Sequence, residues 1–196
     1  MSDKDLLVIS LKQAFSEFNR VHTITTEKQV YVLDYEGQSY IINLINVDSI
    51  ELILEDSQSR MLHFDETKIF KILHPDVLNF LPVDGKRGLL GYGTSYCDFI
   101  FFNKNHFCFV EFKLNAISLE ERAIRKNRKK AINQLENTIL LFDEKLSKNY
   151  HKRLLEAFVS TPKTYPRADA AWLTLKVGFL ERIGIELHEG SFKECF

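Results

Sequence analysis

Asp98, Glu111 and Lys113 sit inside two neighbouring apolar segments, where charge is least at home: Cys97-Asp98-Phe99-Ile100-Phe101-Phe102 and Phe109-Val110-Glu111-Phe112-Lys113. Both segments are dense in aromatic and β-branched residues. The polar stretch Asn103-Lys104-Asn105 separates them, which is the pattern of a β-hairpin. Side chains alternate across a strand, so Glu111 and Lys113 share one face and Phe112 takes the other. If Asn103 pairs with His106 across a two-residue Lys104-Asn105 turn, Asp98 falls opposite Glu111 and Tyr96 opposite Lys113. A slip of one residue sends Asp98 to the other face. Two carboxylates directly opposite repel one another, and buried strands do not carry idle charge cheaply. A divalent cation between them removes the cost, and carboxylate oxygens suit Mg2+ or Mn2+. An ion there with a lysine beside it is equipment for metal-assisted phosphodiester hydrolysis, in which the ion polarises a phosphoryl oxygen and lowers the pKa of water.

These residues need a frame. Leu7, Ile9, Leu11, Phe15 and Phe18 fall at largely helical spacing and predict a helix over 6–18. Strands are expected at 29–34, 39–46 and 49–55, with a tight turn at Glu36-Gly37 between the first two. A second helix is expected over 65–81, where Pro75 suits a first helical position. The hairpin strands are expected at 96–102 and 106–114. Ser118 and Glu121 have capping-box spacing, and Ile124, Ala131, Leu135, Phe142 and Leu146 give a long helix over about 119–148 its apolar stripe. Residues 156–161 form a strand ended by Pro162. Asp169 caps a helix that runs to Ile183 and stops at Gly184. A last strand covers 185–187, with a hairpin partner near Phe192. The expected fold is α/β, a mixed central β-sheet with flanking helices on its faces. It forms a single domain, with residues 1–84 as an N-terminal helix and β-rich part and 85–196 as the site-bearing core.

An aspartate on one strand followed by Glu-x-Lys on the next resembles the PD-(D/E)XK nuclease superfamily, as does the helix and further strand that come after. The resemblance covers about residues 85–190 and implies a restriction-endonuclease-like core. It implies Asp98 and Glu111 as metal ligands, the Phe112 carbonyl as an extra one, and Lys113 positioning the attacking water or stabilising transition-state charge. It also implies Gln134 as a supporting residue in the following helix. In Asp98's position the preceding residue is Cys97 rather than proline, and the chemistry needs only the carboxylate. Many members add an acid from an N-terminal helix, for which Glu17 and Glu66 both stand available. The implied activity is Mg2+-dependent nuclease action, on DNA above all, in restriction, repair or defence.

Arg122, Arg125, Lys126, Arg128, Lys129 and Lys130 form the densest basic cluster in the chain. Alone, such a cluster is a solvated helix face. Beginning soon after the carboxylate hairpin, it becomes a surface to track nucleic-acid phosphates. A local patch is what the charge allows, because the 196-residue chain has a net charge of only −1. Tyr92 and Tyr96, around Gly91 and Gly93, read as turn and core residues, with base stacking the sharper alternative. Cys97, Cys108 and Cys195 have neither disulfide-framework nor zinc spacing. The polar start Met1-Ser2-Asp3-Lys4-Asp5 lacks signal-peptide character and no apolar run reaches membrane-spanning length, so a cytoplasmic protein is expected. A nuclease-fold module that binds nucleic acid without cutting it is the competing expectation. Another is a protein–protein interaction subunit, with a homo-oligomer or larger complex left open.

Overall fold

The computed structural model describes residues 3–46, 49–53, 59–63, 65, 68–93, 95–114, 118, 120–162, 165 and 169–196. Helices α1 (Asp3–Ala14) and α2 (Phe18–Val21) lead into seven strands: β1 (Thr23–Thr25), β2 (Gln29–Tyr35), β3 (Gln38–Asn46), β4 (Ser49–Ile53), β5 (Ser59–His63), β6 (Ile69–Leu73) and β7 (Leu78–Pro82). Then come the hairpin β8 (Phe99–Phe102) and β9 (His106–Phe112), the long helix α3 (Glu121–Leu146), β10 (Leu154–Ser160), α4 (Ala170–Ile183), β11 (Glu186–Glu189) and β12 (Phe192–Glu194).

The strands form two sheets, not the single one expected. The first has the order β1-β7-β8-β9-β10-β11 and the second β12-β6-β2-β3-β4-β5. In the first, the strands from β1 to β9 are antiparallel and β9, β10 and β11 are parallel. The second is antiparallel except where β12 joins β6. The central hairpin shows why two sheets are needed, because it is apolar on both faces. Ile100, Phe102, Phe107 and Phe109 pack into a core shared with α1, α3 and α4. Phe99, Phe101, Cys108, Val110 and Phe112 pack against Val30, Val32, Phe70 and Ile72 of the second sheet. A strand with two apolar faces must be covered twice. Helices cover one face and a second sheet the other, giving three layers. Each sheet draws strands from both sides of residue 84.

Residues 65–81 are the largest departure from expectation. Ile69–Leu73 and Leu78–Pro82 are strands in different sheets, and Pro75-Asp76 forms the crossing between them. Phe70 and Ile72 point together into the inter-sheet core, a period of two. A proline restricts the residue before it to extended backbone, which turns the chain at His74 instead of starting a helix. The hairpin partner expected for the last strand also goes elsewhere. Gly190-Ser191 carries the chain across to the second sheet, where Ser191 Oγ meets Ser160 Oγ at 2.9 Å and β12 pairs with β6.

Helix α3 starts later than its expected capping box. Glu120 is the N-cap, with no side-chain cap, and Ser118 Oγ accepts the Glu120 N–H at 3.3 Å. Its expected stripe, Ile124, Ala131, Leu135, Phe142 and Leu146, is buried throughout. Helix α4 starts and stops where expected. Asp169 accepts the Trp172 N–H at 2.6 Å, and Gly184 ends the helix in the left-handed region at φ 75°. Among the described residues no helix is long and apolar enough to cross a membrane.

Candidate active site

The hairpin turn fixes the register of the site. Asn103 Oδ1 accepts the N–H groups of Asn105 and His106 at 2.9 and 2.8 Å, and Asn103 N–H donates to the His106 carbonyl at 3.0 Å. Phe102 then faces Phe107 and Phe99 faces Val110, so Asp98 lies opposite Glu111. At Asp98 the side chain takes over from the backbone ladder: its Oδ2 accepts the Phe112 N–H at 2.5 Å. The two carboxyl groups act on each other electrostatically. Glu111 is 1% exposed, and its Oε2 is buried without a partner.

Lys113 closes the constellation. Its Nζ donates to Glu111 Oε1, to the Phe112 carbonyl at 3.1 Å and to Gln134 Oε1 at 3.1 Å. Gln134 in turn donates to the Tyr96 carbonyl at 3.0 Å. Four residues on, Thr138 Oγ1 accepts the Cys97 N–H at 2.8 Å and donates to the Gln134 carbonyl at 2.7 Å. Asn137 holds the Ser95 carbonyl at 3.1 Å. One polar side of α3 therefore pins both the lysine and the segment leading into Asp98. The Phe112 side chain points the other way, into the inter-sheet core, and leaves only its carbonyl at the site.

The electrostatics are those of a site short of positive charge. Burial pushes the Asp98 carboxyl up to about 7, and the nearby Asp34 charge adds to this, against the pull of the Phe112 N–H and Lys113. Glu111 is raised well above the usual carboxylate range by burial and by Asp98. Among the described residues no three His, Cys, Asp or Glu side chains form a ready-made metal cage. The donors on offer are two carboxyl groups and a main-chain carbonyl. That set suits Mg2+ or Mn2+, with waters and a substrate phosphate completing the coordination. The partnerless Glu111 Oε2 is the observation that fits a cation here, since a buried acceptor left unmatched is costly.

Of the upstream acids, Glu17 lies at the wrong end. It is exposed and pairs with Arg20 at 2.7 Å. Neighbouring Phe18 stacks on His22, which stacks on Phe102 beside the hairpin turn, away from Asp98. Glu66 lies outside the described residues. The acid that does approach is Asp34, which sequence reasoning missed. It belongs to the second sheet and interacts electrostatically with Lys113 and Asp98. One of its oxygens is buried without a partner, while its carboxylate accepts the Gly37 N–H. A signal was present: Val30 and Val32 face the core, and Asp34 continues that alternation with a charge.

The basic cluster divides in two. Arg122, Arg125, Lys126, Lys129 and Lys130 are exposed. At about 100° per residue they occupy an arc of roughly 140° on the side of α3 away from the core. Arg128 is buried, bound to Asp169 at 2.6 Å and to Glu189 at 3.5 Å, with its guanidinium 5.0 Å from the Trp172 ring. It is a structural residue. Gln134 reaches Lys113, and Phe142 packs on Phe107 and Phe109, so residues 134–142 span the length of β9. The first half of α3 continues toward β11 and the start of α4, where Arg128 meets Glu189 and Asp169. Lys126, Lys130 and Gln134, four residues apart, form one ridge leading to Lys113. Neither protein-family models, nor curated proteins, nor solved structures yield a match to this chain.

Proposed function

We propose that this chain is a divalent-metal-dependent nuclease of the PD-(D/E)XK type, with a restriction-endonuclease-like core, that hydrolyses phosphodiester bonds in DNA. The observation that carries this is the buried Asp98–Glu111 pair, with Lys113 held against it by Gln134. A carboxyl pair in this position destabilises the fold, and α3 holds Lys113 and the segment leading into Asp98 by hydrogen bonds. The order hairpin, long crossover helix, parallel strand is in keeping with the reading.

Asp98, Glu111 and the Phe112 carbonyl would hold Mg2+ or Mn2+, which supplies charge against the phosphoryl oxygens and makes water a better nucleophile. Lys113 keeps its ammonium at the same place through Gln134, where it orients the attacking water or meets developing negative charge. Asp34 strengthens the negative field that draws a cation in. The exposed arc Arg122, Arg125, Lys126, Lys129 and Lys130 follows the sugar-phosphate backbone and positions the strand without reading its sequence.

The direct test is cleavage of linear DNA, circular DNA and RNA with Mg2+ or Mn2+, run beside Lys113→Ala. Metal-dependent cleavage, reduced in the variant by a hundredfold or more, is the expected result, in line with about 3 kcal/mol for one charge-stabilising group. Inertness toward all three substrates refutes the proposal. The basic ridge has its own test, since Lys126→Ala with Lys130→Ala should weaken DNA binding uniformly across sequences. The slope of log K against log salt should fall by about 2, one counterion per lost contact. An unchanged slope returns the ridge to the status of a solvated face.

A further inference from the structure

The loop between β7 and β8 presents one aromatic ring to solvent. Tyr92 is 72% exposed. It lies between Gly91 and Gly93, which have φ of 76° and 85°. A Cβ at either glycine would meet nothing within 4 Å, so the glycines serve backbone conformation and not close packing. The loop carrying the ring is firmly tied. Leu89 N–H donates to the Pro82 carbonyl at 2.8 Å, Leu90 N–H to the Val83 carbonyl at 3.0 Å, and Arg87 N–H to Gln38 Oε1 at 2.9 Å. Its tip leans over the β2–β3 turn, where Tyr92 Cε2 is 4.0 Å from the position a Cβ would take on Gly37. The Gly37 N–H in turn holds the Asp34 carboxylate, whose charge acts on Asp98 and Lys113. Val83, whose carbonyl holds the Leu90 N–H, donates its own N–H to the Asp98 carbonyl at 2.9 Å, so the loop is hydrogen-bonded to the residue that carries the site, and exposed Lys86 lies in the same loop.

An exposed aromatic with a cation in its own loop, on a loop hydrogen-bonded to β7 and to the residue leading into the hairpin, matches what an unpaired base requires. Every base offers a π-face once it is out of the duplex, and stacking on aromatic rings is how single strands are held without sequence preference. A base paired within a duplex has both faces covered by its neighbours. We infer that Tyr92 is a stacking post for an unpaired base next to the scissile phosphate, and that the substrate is single-stranded nucleic acid. This rests on the nuclease reading and names the substrate class for the same site.

The test uses the full chain in EDTA, which prevents cutting, titrated with a single-stranded DNA oligonucleotide carrying 2-aminopurine and with the matching duplex. Tyr92→Ala should weaken single-strand binding roughly tenfold, the usual loss for one stacked base, and leave duplex binding unchanged. Tyr92→Phe, which keeps the ring, should bind within about twofold of wild type. Quenching of the 2-aminopurine emission should persist in Tyr92→Phe and vanish in Tyr92→Ala, a readout that general loosening of the loop would not separate. Metal-dependent cleavage that treats single strands and duplexes alike, and is unchanged in Tyr92→Ala, overturns the stacking role while the nuclease reading stands. Failure to bind or cut either form overturns both.

Discussion

Asp98→Asn should raise the melting temperature at pH 8 and abolish metal-dependent cleavage. The stabilisation follows from the raised pKa. Asp98 titrates near 7 in the fold against an ordinary value of 3.8. Between these values the folded state holds a proton that the unfolded chain has released, so stability falls as pH rises through that window. Above the folded pKa the full cost is present, and below pH 4 it is absent. Asparagine is shaped like the neutral acid and still accepts the Phe112 N–H, so it removes the cost and keeps the contact. The shift of about three pKa units bounds the gain at about 4 kcal/mol. Relaxation around the pair with Glu111 reduces this to on the order of 2 kcal/mol, or about 4–8 °C for a chain of this size. Melts in EDTA at pH 4.5 and pH 8 check it, with most of the gain lost at the lower pH. Mg2+ should raise the wild-type melting temperature and leave the variant unmoved, because a ligand stabilises only the state that binds it. Lower stability at pH 8 together with lost cleavage would make Asp98 an ordinary structural residue.

The parts of this architecture legible in the sequence were those specified by local chemistry. Asn103 can lock a two-residue turn by itself, and that turn sets the register placing Asp98 against Glu111. Asp169 and Gly184 mark the ends of α4 because capping is a contact within one turn of helix. Residues 69–82 were opaque because their apolar residues satisfy a helical spacing as well as a strand spacing. Two sheets decide between them: Phe70 and Ile72 need a common inward face and Leu78–Pro82 a place beside β8. The second sheet itself was hidden for the same reason. Apolar residues on both faces of β8 and β9 require two covers, but not which elements supply them. Asp34 reaches the site only through that packing, about 60 residues away in sequence from Asp98.

The basic cluster shows the opposite failure, since six neighbouring cations look alike in sequence and one of them is not on the surface. Arg128→Ala should be the most destabilising change in the cluster, costing about 3–5 kcal/mol and lowering the melting temperature by roughly 10 °C. Its guanidinium bonds Asp169 and Glu189 and lies over Trp172 and Tyr165. The Glu189 side chain is only 4% exposed, so alanine would take a cation away from a buried carboxylate. The same bond is the largest cause holding the Asp169 carboxyl below its usual range, and Asp169 is the cap of α4. Losing Arg128 therefore loosens the start of α4 and the end of β11 together. Lysine should not rescue it, because a single ammonium can neither span two carboxylates nor stack flat on an indole. Exposed Arg125→Ala, one turn earlier, should change stability by less than about 0.5 kcal/mol. Denaturant midpoints for the three variants check the order, and equal effects for Arg125 and Arg128 would refute it. The contrast also bears on the proposed function. Arg128 clamps the first half of α3 to the cap of α4 and the end of β11, and that half carries the five exposed cations. Arg128→Ala should therefore weaken DNA binding with no change in salt slope, since it releases no counterions of its own, whereas Lys126 and Lys130 change the slope and leave the melting temperature alone.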